Sequence, residues 1–142
     1  ERRNGNWQPL LGPDDPSAWE HDRAGPLLQE VQAAWKAASA KGCEPQTATA
    51  ALLQAWHAAF GPDLQLGAGH ALRLAIARDG LDAAVDAGQW AEAAGFARAL
   101  CAAHRVIYPP GWPVAGLGLA RLAKLELYHG RFQEAERAGE EA

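Results

Sequence analysis

The 142-residue chain reads as all-α, with antiparallel helix pairs stacked into an α–α superhelix. Three observations predict this. From Pro26 onward, apolar residues recur at spacings of three and four, the period of a helix face and not the alternation of a strand. Glycine and proline gather between these stretches, at Gly42 and Pro45, Gly61–Pro62, Pro109–Gly111 and Gly130, where they end one helix and open the next. Finally, Gly88-Gln89-Trp90-Ala91-Glu92-Ala93 matches Gly130-Arg131-Phe132-Gln133-Glu134-Ala135, about 42 residues apart, a period on the scale of helical repeats.

Six helices are expected. Pro26 suits a first helical turn, and Leu27, Leu28, Val31, Ala34, Trp35 and Ala38 form the stripe of a helix that Gly42 closes. Pro45 opens the second, with Ala48, Ala51, Leu52, Ala55, Trp56 and Ala59 on one face until Gly61–Pro62. The third runs from about Gly69 to Ala87 and aligns Leu74, Ala77, Leu81, Ala84 and Val85. Gly80 weakens it by roughly 1 kcal/mol relative to alanine, so a residue that small points to a close neighbour. The fourth, from about Trp90 to Ile107, aligns Trp90, Ala93, Ala94, Ala97, Leu100 and Cys101, and Pro109-Pro110-Gly111 stops it. Pro113 opens a fifth helix that ends at Gly130, with Gly118, Leu122 and Leu125 on the packing side. The sixth begins near Arg131.

Residues 1–25 are a different material. They hold Gly5, Pro9, Gly12, Pro13, Pro16, the pair Asp14–Asp15 and two isolated tryptophans, Trp7 and Trp19. Proline lacks a donor and fixes φ, so this stretch is expected as an extended arm or linker, its tryptophans tacked to a protein surface. The helical domain is then 26–142. The chain contains no methionine, and its final residues still read as helix, so it is expected to be a segment of a longer protein.

Bulk chemistry narrows the function. A formal net charge of −4 repels phosphate backbones and argues against nucleic acid as the main partner. No apolar run approaches the roughly 20 residues that cross a bilayer. Two cysteines, Cys43 and Cys101, make neither a disulfide framework nor a four-ligand zinc site, and free thiols suit a reducing compartment, cytoplasmic or nuclear. No cofactor and no catalytic centre is expected in this segment.

In both repeated blocks a long helix ends on glycine, an aromatic follows two residues later, and Glu-Ala comes next. Glycine permits the left-handed turn, the aromatic is expected to plug the gap between paired helices, and alanine permits close helix contact. The tetratricopeptide (TPR) repeat uses the same turn. The first pair, Leu27–Phe60, fits this register poorly and reads as an irregular cap.

From about His70 the resemblance is more specific. Leu81-Asp82-Ala83-Ala84-Val85-Asp86, Gly88, Glu92-Ala93-Ala94, Tyr108-Pro109, Pro113 and Leu122-Ala123-Lys124-Leu125-Glu126-Leu127, with Gly130, Phe132 and Ala135, resemble the C-terminal helical domain of the SET-and-MYND (SMYD) protein-lysine methyltransferases. The resemblance covers about half of the chain and rests on scaffold residues. It implies a TPR-like bundle that packs on a catalytic core, walls a substrate cleft and holds partner tails. The parent is then an S-adenosylmethionine-dependent methyltransferase whose chemistry lies outside this segment, since no residue here matches that family's cysteine clusters or SET motifs. The alternative kinship is with kinesin-light-chain-type repeats, which share the long period and the turn and imply a free-standing adaptor in a larger assembly.

Candidate partner residues lie on two helices. Leu117, Arg121, Lys124 and Tyr128 share one stripe of the fifth helix. Basic side chains there can clamp a peptide carboxylate by charge-assisted hydrogen bonds, and Arg73 and Arg78 on the third helix could add to the same groove. The partner expected is a protein or peptide, such as an acidic C-terminal tail, or the rest of the parent chain. The competing reading has all four cations solvated or paired with nearby Asp and Glu. Trp112, in a turn between Gly111 and Pro113, is expected to be exposed and to face a partner. Cys101 and His104 have a spacing that fits a metal, but no further ligands are placed, so packing accounts for them better. His57 has no nucleophile beside it, and Gly67-Ala68-Gly69 reads as a hinge and not a phosphate loop, since it lacks a preceding strand and a Lys-Ser/Thr ending.

Overall fold

The computed structural model describes residues 16–60, 64, 66–67 and 69–142. Among them are six helices and no strand: α1 (Pro16–Ala38), α2 (Pro45–Phe60), α3 (Ala71–Asp86), α4 (Trp90–Ile107), α5 (Pro113–Tyr128) and α6 (Phe132–Glu141). The all-α class follows directly. No helix is long and apolar enough to cross a membrane among the described residues.

Five helices begin within about two residues of the positions that proline and glycine marked, as expected of residues that act through φ and the missing N–H. The exception is α1, which starts at Pro16 and carries Pro26 inside it. The stretch 16–25, expected as part of an extended arm, is therefore helical. Proline at the first helical position gives up only an N–H that has no intrahelical partner, and 17–24 contains no other breaker. The interior Pro26 removes one backbone bond, at a cost of about 3 kcal/mol, and a 23-residue helix has enough remaining bonds to run through it. Trp7, like the rest of 1–15 and the side chain of Trp19, lies outside the described residues.

The helices pack in sequence order, each against the next. Polar and aromatic contacts also join every second helix. Trp35 on α1 donates its indole N–H to Asp79 on α3 (2.8 Å), and Arg121 on α5 donates to Asp82 on α3 (2.8 Å). On the other side Trp56 of α2 meets Phe96 of α4 edge-on at 6.0 Å, and Arg105 of α4 pairs with Glu141 of α6. Odd-numbered helices thus neighbour one another in one layer and even-numbered helices in a second, with a continuous core between.

That core is built from small residues. Ala59, Ala84, Ala93 and Ala94 are fully enclosed beside Leu52, Ile76, Leu81 and Phe96. Gly80 explains its own presence: a Cβ there would lie 2.5 Å from the ring of Phe96, so the ring occupies the space of the missing side chain.

The two repeated turns match bond for bond. After α3, the Gly88 N–H bonds the Val85 carbonyl and Gln89 N–H the Ala84 carbonyl; after α5, Gly130 bonds Leu127 and Arg131 bonds Glu126. This is the Schellman pattern, which needs a left-handed residue, and φ is 69° at Gly88 and 80° at Gly130. The helices α3 and α5 also have the same length, 16 residues. The connection from α1 to α2 is longer, with Gly42 in the left-handed turn, in line with the poor register of that pair.

Candidate partner-binding surface

Exposed apolar mass is unevenly spread. Of nine large hydrophobic residues exposed among the described ones, eight lie between Val106 and Phe132, and Phe60 is the exception. Four of the eight, Val114, Leu117, Leu127 and Tyr128, lie on α5, whose two sides differ. Leu119, Leu122, Leu125 and Glu126 are buried, whereas Val114, Leu117, Arg121, Lys124 and Tyr128 all face outward. Leu117 is 72% exposed and Tyr128 59%.

The basic residues expected on this surface have different fates. Arg73 does not join the others. Its guanidinium lies 3.3 Å over the ring of Phe60 and 5.3 Å from that of Trp56, and it donates to the Leu66 carbonyl. It staples the α2–α3 connection, and burial pulls its pKa below the ordinary arginine value. Arg78 pairs with its neighbour Asp79 at 3.0 Å. Arg121 reaches Asp82 at 2.8 Å, with both side chains about half exposed. Lys124 is outward-facing and has no ion-pair partner among the described residues.

The aromatic residues form two groups. Tyr128 stacks on Trp90 at 5.1 Å and 30°, covering the first aromatic of the repeated block. Trp112 is 48% exposed and lies parallel to Tyr108, ring centres 6.3 Å apart, on an open groove of about 780 Å³ beside the start of α5 and the end of α6. Phe132, expected to plug a gap as Trp90 does, is 70% exposed. The reason lies in the packing: Trp90 is covered by Tyr128 from the following hairpin, and no described helix stands in that relation to Phe132.

Two features were missed by sequence reasoning. Glu126 is 1% exposed, fully inside the protein. One carboxylate oxygen accepts from Arg98 at 2.8 Å, and the other has no partner among the described residues. Its spacing from Leu119 and Leu122 places it on the buried stripe, so periodicity held the signal that its charge obscured. Asp79 is the second. Burial alone would raise its pKa, but hydrogen bonds from Trp35, Arg78 and Ser39, with the charge of Arg78, hold it below the ordinary carboxylate value. Nothing local in the sequence pairs residues 35 and 79.

Around Cys101 the chemistry is quiet. The thiol is buried, and desolvation raises its pKa against the opposing charge of Arg105, which disfavours the reactive thiolate. Cys101 and His104 both abut Gly118 of α5, so their spacing serves the α4–α5 contact. Among the described residues no group of three or more His, Cys, Asp or Glu stands close enough to hold a metal ion. His57 is exposed on α2.

No protein-family model, curated protein or solved structure matches this chain.

Proposed function

We propose that this chain is a protein-interaction scaffold, a TPR-like α–α stack that presents the outer face of α5 to a protein partner and carries no catalytic centre of its own. The observation that carries the reading is the exposure of Val114, Leu117 and Tyr128 together on one face of α5, within a stretch from Val106 to Phe132 that holds eight of the nine exposed large hydrophobics among the described residues. Patches of this kind mark interaction surfaces more often than scattered single residues do. The Schellman turns and the pairing of alternate helices support the TPR-like arrangement, and with it the resemblance to the C-terminal helical domain of SMYD-type methyltransferases. On that reading the chemistry of the parent resides in another part of the protein, and the compartment is a reducing one, where Cys43 and the buried Cys101 remain thiols.

The partner surface is basic at its centre. Lys124 offers an uncommitted ammonium, and Arg121 can be shared between Asp82 and an incoming carboxylate. A ligand with acidic groups, such as an acidic C-terminal tail, is the one this surface suits. Titration of an acidic peptide against the chain tests this, with Lys124→Ala, Arg121→Ala and Asp82→Asn in parallel. Loss of Lys124 is expected to weaken binding several-fold. Release of Arg121 by Asp82→Asn is expected to strengthen it. Affinity that ignores all three substitutions removes the proposed surface.

A further inference from the structure

The outward residues of α5 have a spacing that bears on the shape of the partner. Val114, Leu117, Arg121, Lys124 and Tyr128 are separated by three, four, three and four residues. At 3.6 residues per turn they fall within about 80° of arc and extend about 21 Å along the helix. All five reach solvent, away from Leu119, Leu122 and Glu126, with buried Leu125 at the margin of the ridge and with Arg121 and Tyr128 also touching Asp82 and Trp90. A 3–4–3–4 ridge repeats every 3.5 residues on average, the period at which a second helix meets the first along a seam. Such a seam normally marks a packed interface, yet here it faces solvent.

We infer that α5 docks an amphipathic, acidic helix of a partner protein, lying antiparallel to it along the ridge Val114–Leu117–Arg121–Lys124–Tyr128. The inference rests on the partner-binding reading above and specifies the conformation and direction of the ligand. Three arguments select this occupant. The ridge is apolar at its start, through Val114 and Leu117, and cationic further along, through Arg121 and the uncommitted Lys124. Its complement is a helix with apolar heptad positions at one end and carboxylates at the other. Direction follows from the second argument. An antiparallel helix places its N-terminal turns against the C-terminal half of α5, and acidic residues in those turns also complement the partner's own helix dipole. The third argument disfavours a ligand that binds as an added strand. A strand-like ligand draws its affinity from main-chain hydrogen bonds, and the backbone of α5 spends its own donors and acceptors within the helix. The ridge includes no Asn, Gln, Ser or Thr to replace them.

The test is an unbiased selection. A displayed library of random peptides, each about five helical turns long, is selected against the intact chain, and the enriched sequences are synthesised. Expected binders carry acidic residues in their first two turns and leucine-like residues at heptad positions after them, and they gain helical circular dichroism on binding. Proline placed in the middle of such a peptide should weaken it at least tenfold, as should Leu117→Glu in the protein, while Lys124→Glu should cost several-fold and flatten the salt dependence. Binders that tolerate the central proline but are lost with Leu117→Glu overturn the helical ligand and leave the surface standing. Binders that ignore both Leu117→Glu and Lys124→Glu overturn the surface as well. Failure of every selected peptide to bind the intact chain does the same.

Discussion

The hairpins α3–α4 and α5–α6 share a turn and a register and divide the space between their helices differently. Their turns make the same hydrogen bonds at the same spacing, each through a left-handed glycine. At the tightest point between the helices, the first hairpin places Gly80 on one side and Phe96 on the other. One repeat further on, the same two positions are Leu122 and Ala138, both buried in the common core. The bulk has crossed from the second helix of the pair to the first. Charge is redistributed too: Asp79 and Arg121 hold equivalent places and each ties its helix to the preceding odd-numbered one, but with opposite sign. What the repeat preserves here is the turn and the summed volume at this level, not the identity of the residue that supplies it.

The largest expected effect comes from disturbing that exchange. Gly80→Leu drives a side chain into a ring that is 2% exposed and has nowhere to go, so a loss of at least about 3 kcal/mol is expected, at or beyond the upper end for overpacking. Phe96→Ala should cost about 3–5 kcal/mol through the cavity it leaves. The double variant Gly80→Leu/Phe96→Ala copies the arrangement at Leu122 and Ala138. Relative to the sum of the two single changes it should recover about 1–3 kcal/mol, as directly contacting neighbours do. Denaturant unfolding of the four proteins checks this. Strict additivity would show that the two hairpins are not interchangeable in volume.

Next in size is Leu122→Ala, which removes the bulk from the second hairpin without a ring to fill the space. A loss of about 2–5 kcal/mol is expected, and a change near zero would mean that α5 does not pack through this face. A smaller effect is expected at Arg98. Its removal leaves Glu126 buried with neither oxygen paired, whereas Ala84 fills the equivalent place one repeat earlier without any charge. Because Arg98 is 46% exposed, water offsets part of the loss, and Arg98→Ala should cost about 1–3 kcal/mol. Glu126→Ala should cost less than Arg98→Ala, since it removes the buried charge along with its partner. The reverse order in unfolding experiments would show that the ion pair stabilises the fold in its own right.

These contrasts also mark how far the sequence could be read. Helix bounds from α2 to α6 were legible because Pro45, Pro113, Gly88 and Gly130 act locally, through φ and the missing N–H. The buried stripe of α5 and the close approach at Gly80 were legible as well, one from period and the other from size. Local reading failed at α1, where tolerance of Pro26 depends on the length of helix around it. It also failed at Phe132, whose exposure is decided by what stands opposite and not by its own position in the repeat. For the candidate surface, spacing alone put Leu117, Arg121, Lys124 and Tyr128 on one face. It could not show that Arg73 folds back onto Phe60 or that Arg121 is engaged by Asp82, since both contacts join separate helices or connections. Pairings over long separations, such as Trp35 with Asp79 and Arg98 with Glu126, leave no periodic trace.

The smallest effect expected concerns the joint between the irregular first pair and the repeats. Asp79 is the acceptor for Trp35 and Ser39 of the α1 end and for Arg78 of its own helix, and these donors hold its pKa below the ordinary value despite burial. A carboxylate whose folded pKa is depressed contributes stability that is present above its unfolded pKa, near 4, and is lost as pH falls through the folded pKa. The α1–α3 joint should therefore loosen below about pH 4 while remaining intact at neutral pH. Fluorescence reports the joint when read as the difference between the chain and its Trp35→Phe variant, since five other tryptophans also emit and the Trp35 indole N–H is one of the bonds at stake. An acid titration of the chain should show that signal changing with Asp79 present and already shifted at neutral pH in Asp79→Asn, whose amide accepts less strongly from the indole. Hydrogen exchange should localise the acid-induced opening to α1 and spare the turns at Gly88 and Gly130. If α1 and the repeats instead exchange in step at every pH, Asp79 is not a separable joint, and the first pair belongs to the same cooperative unit as the two hairpins that follow it.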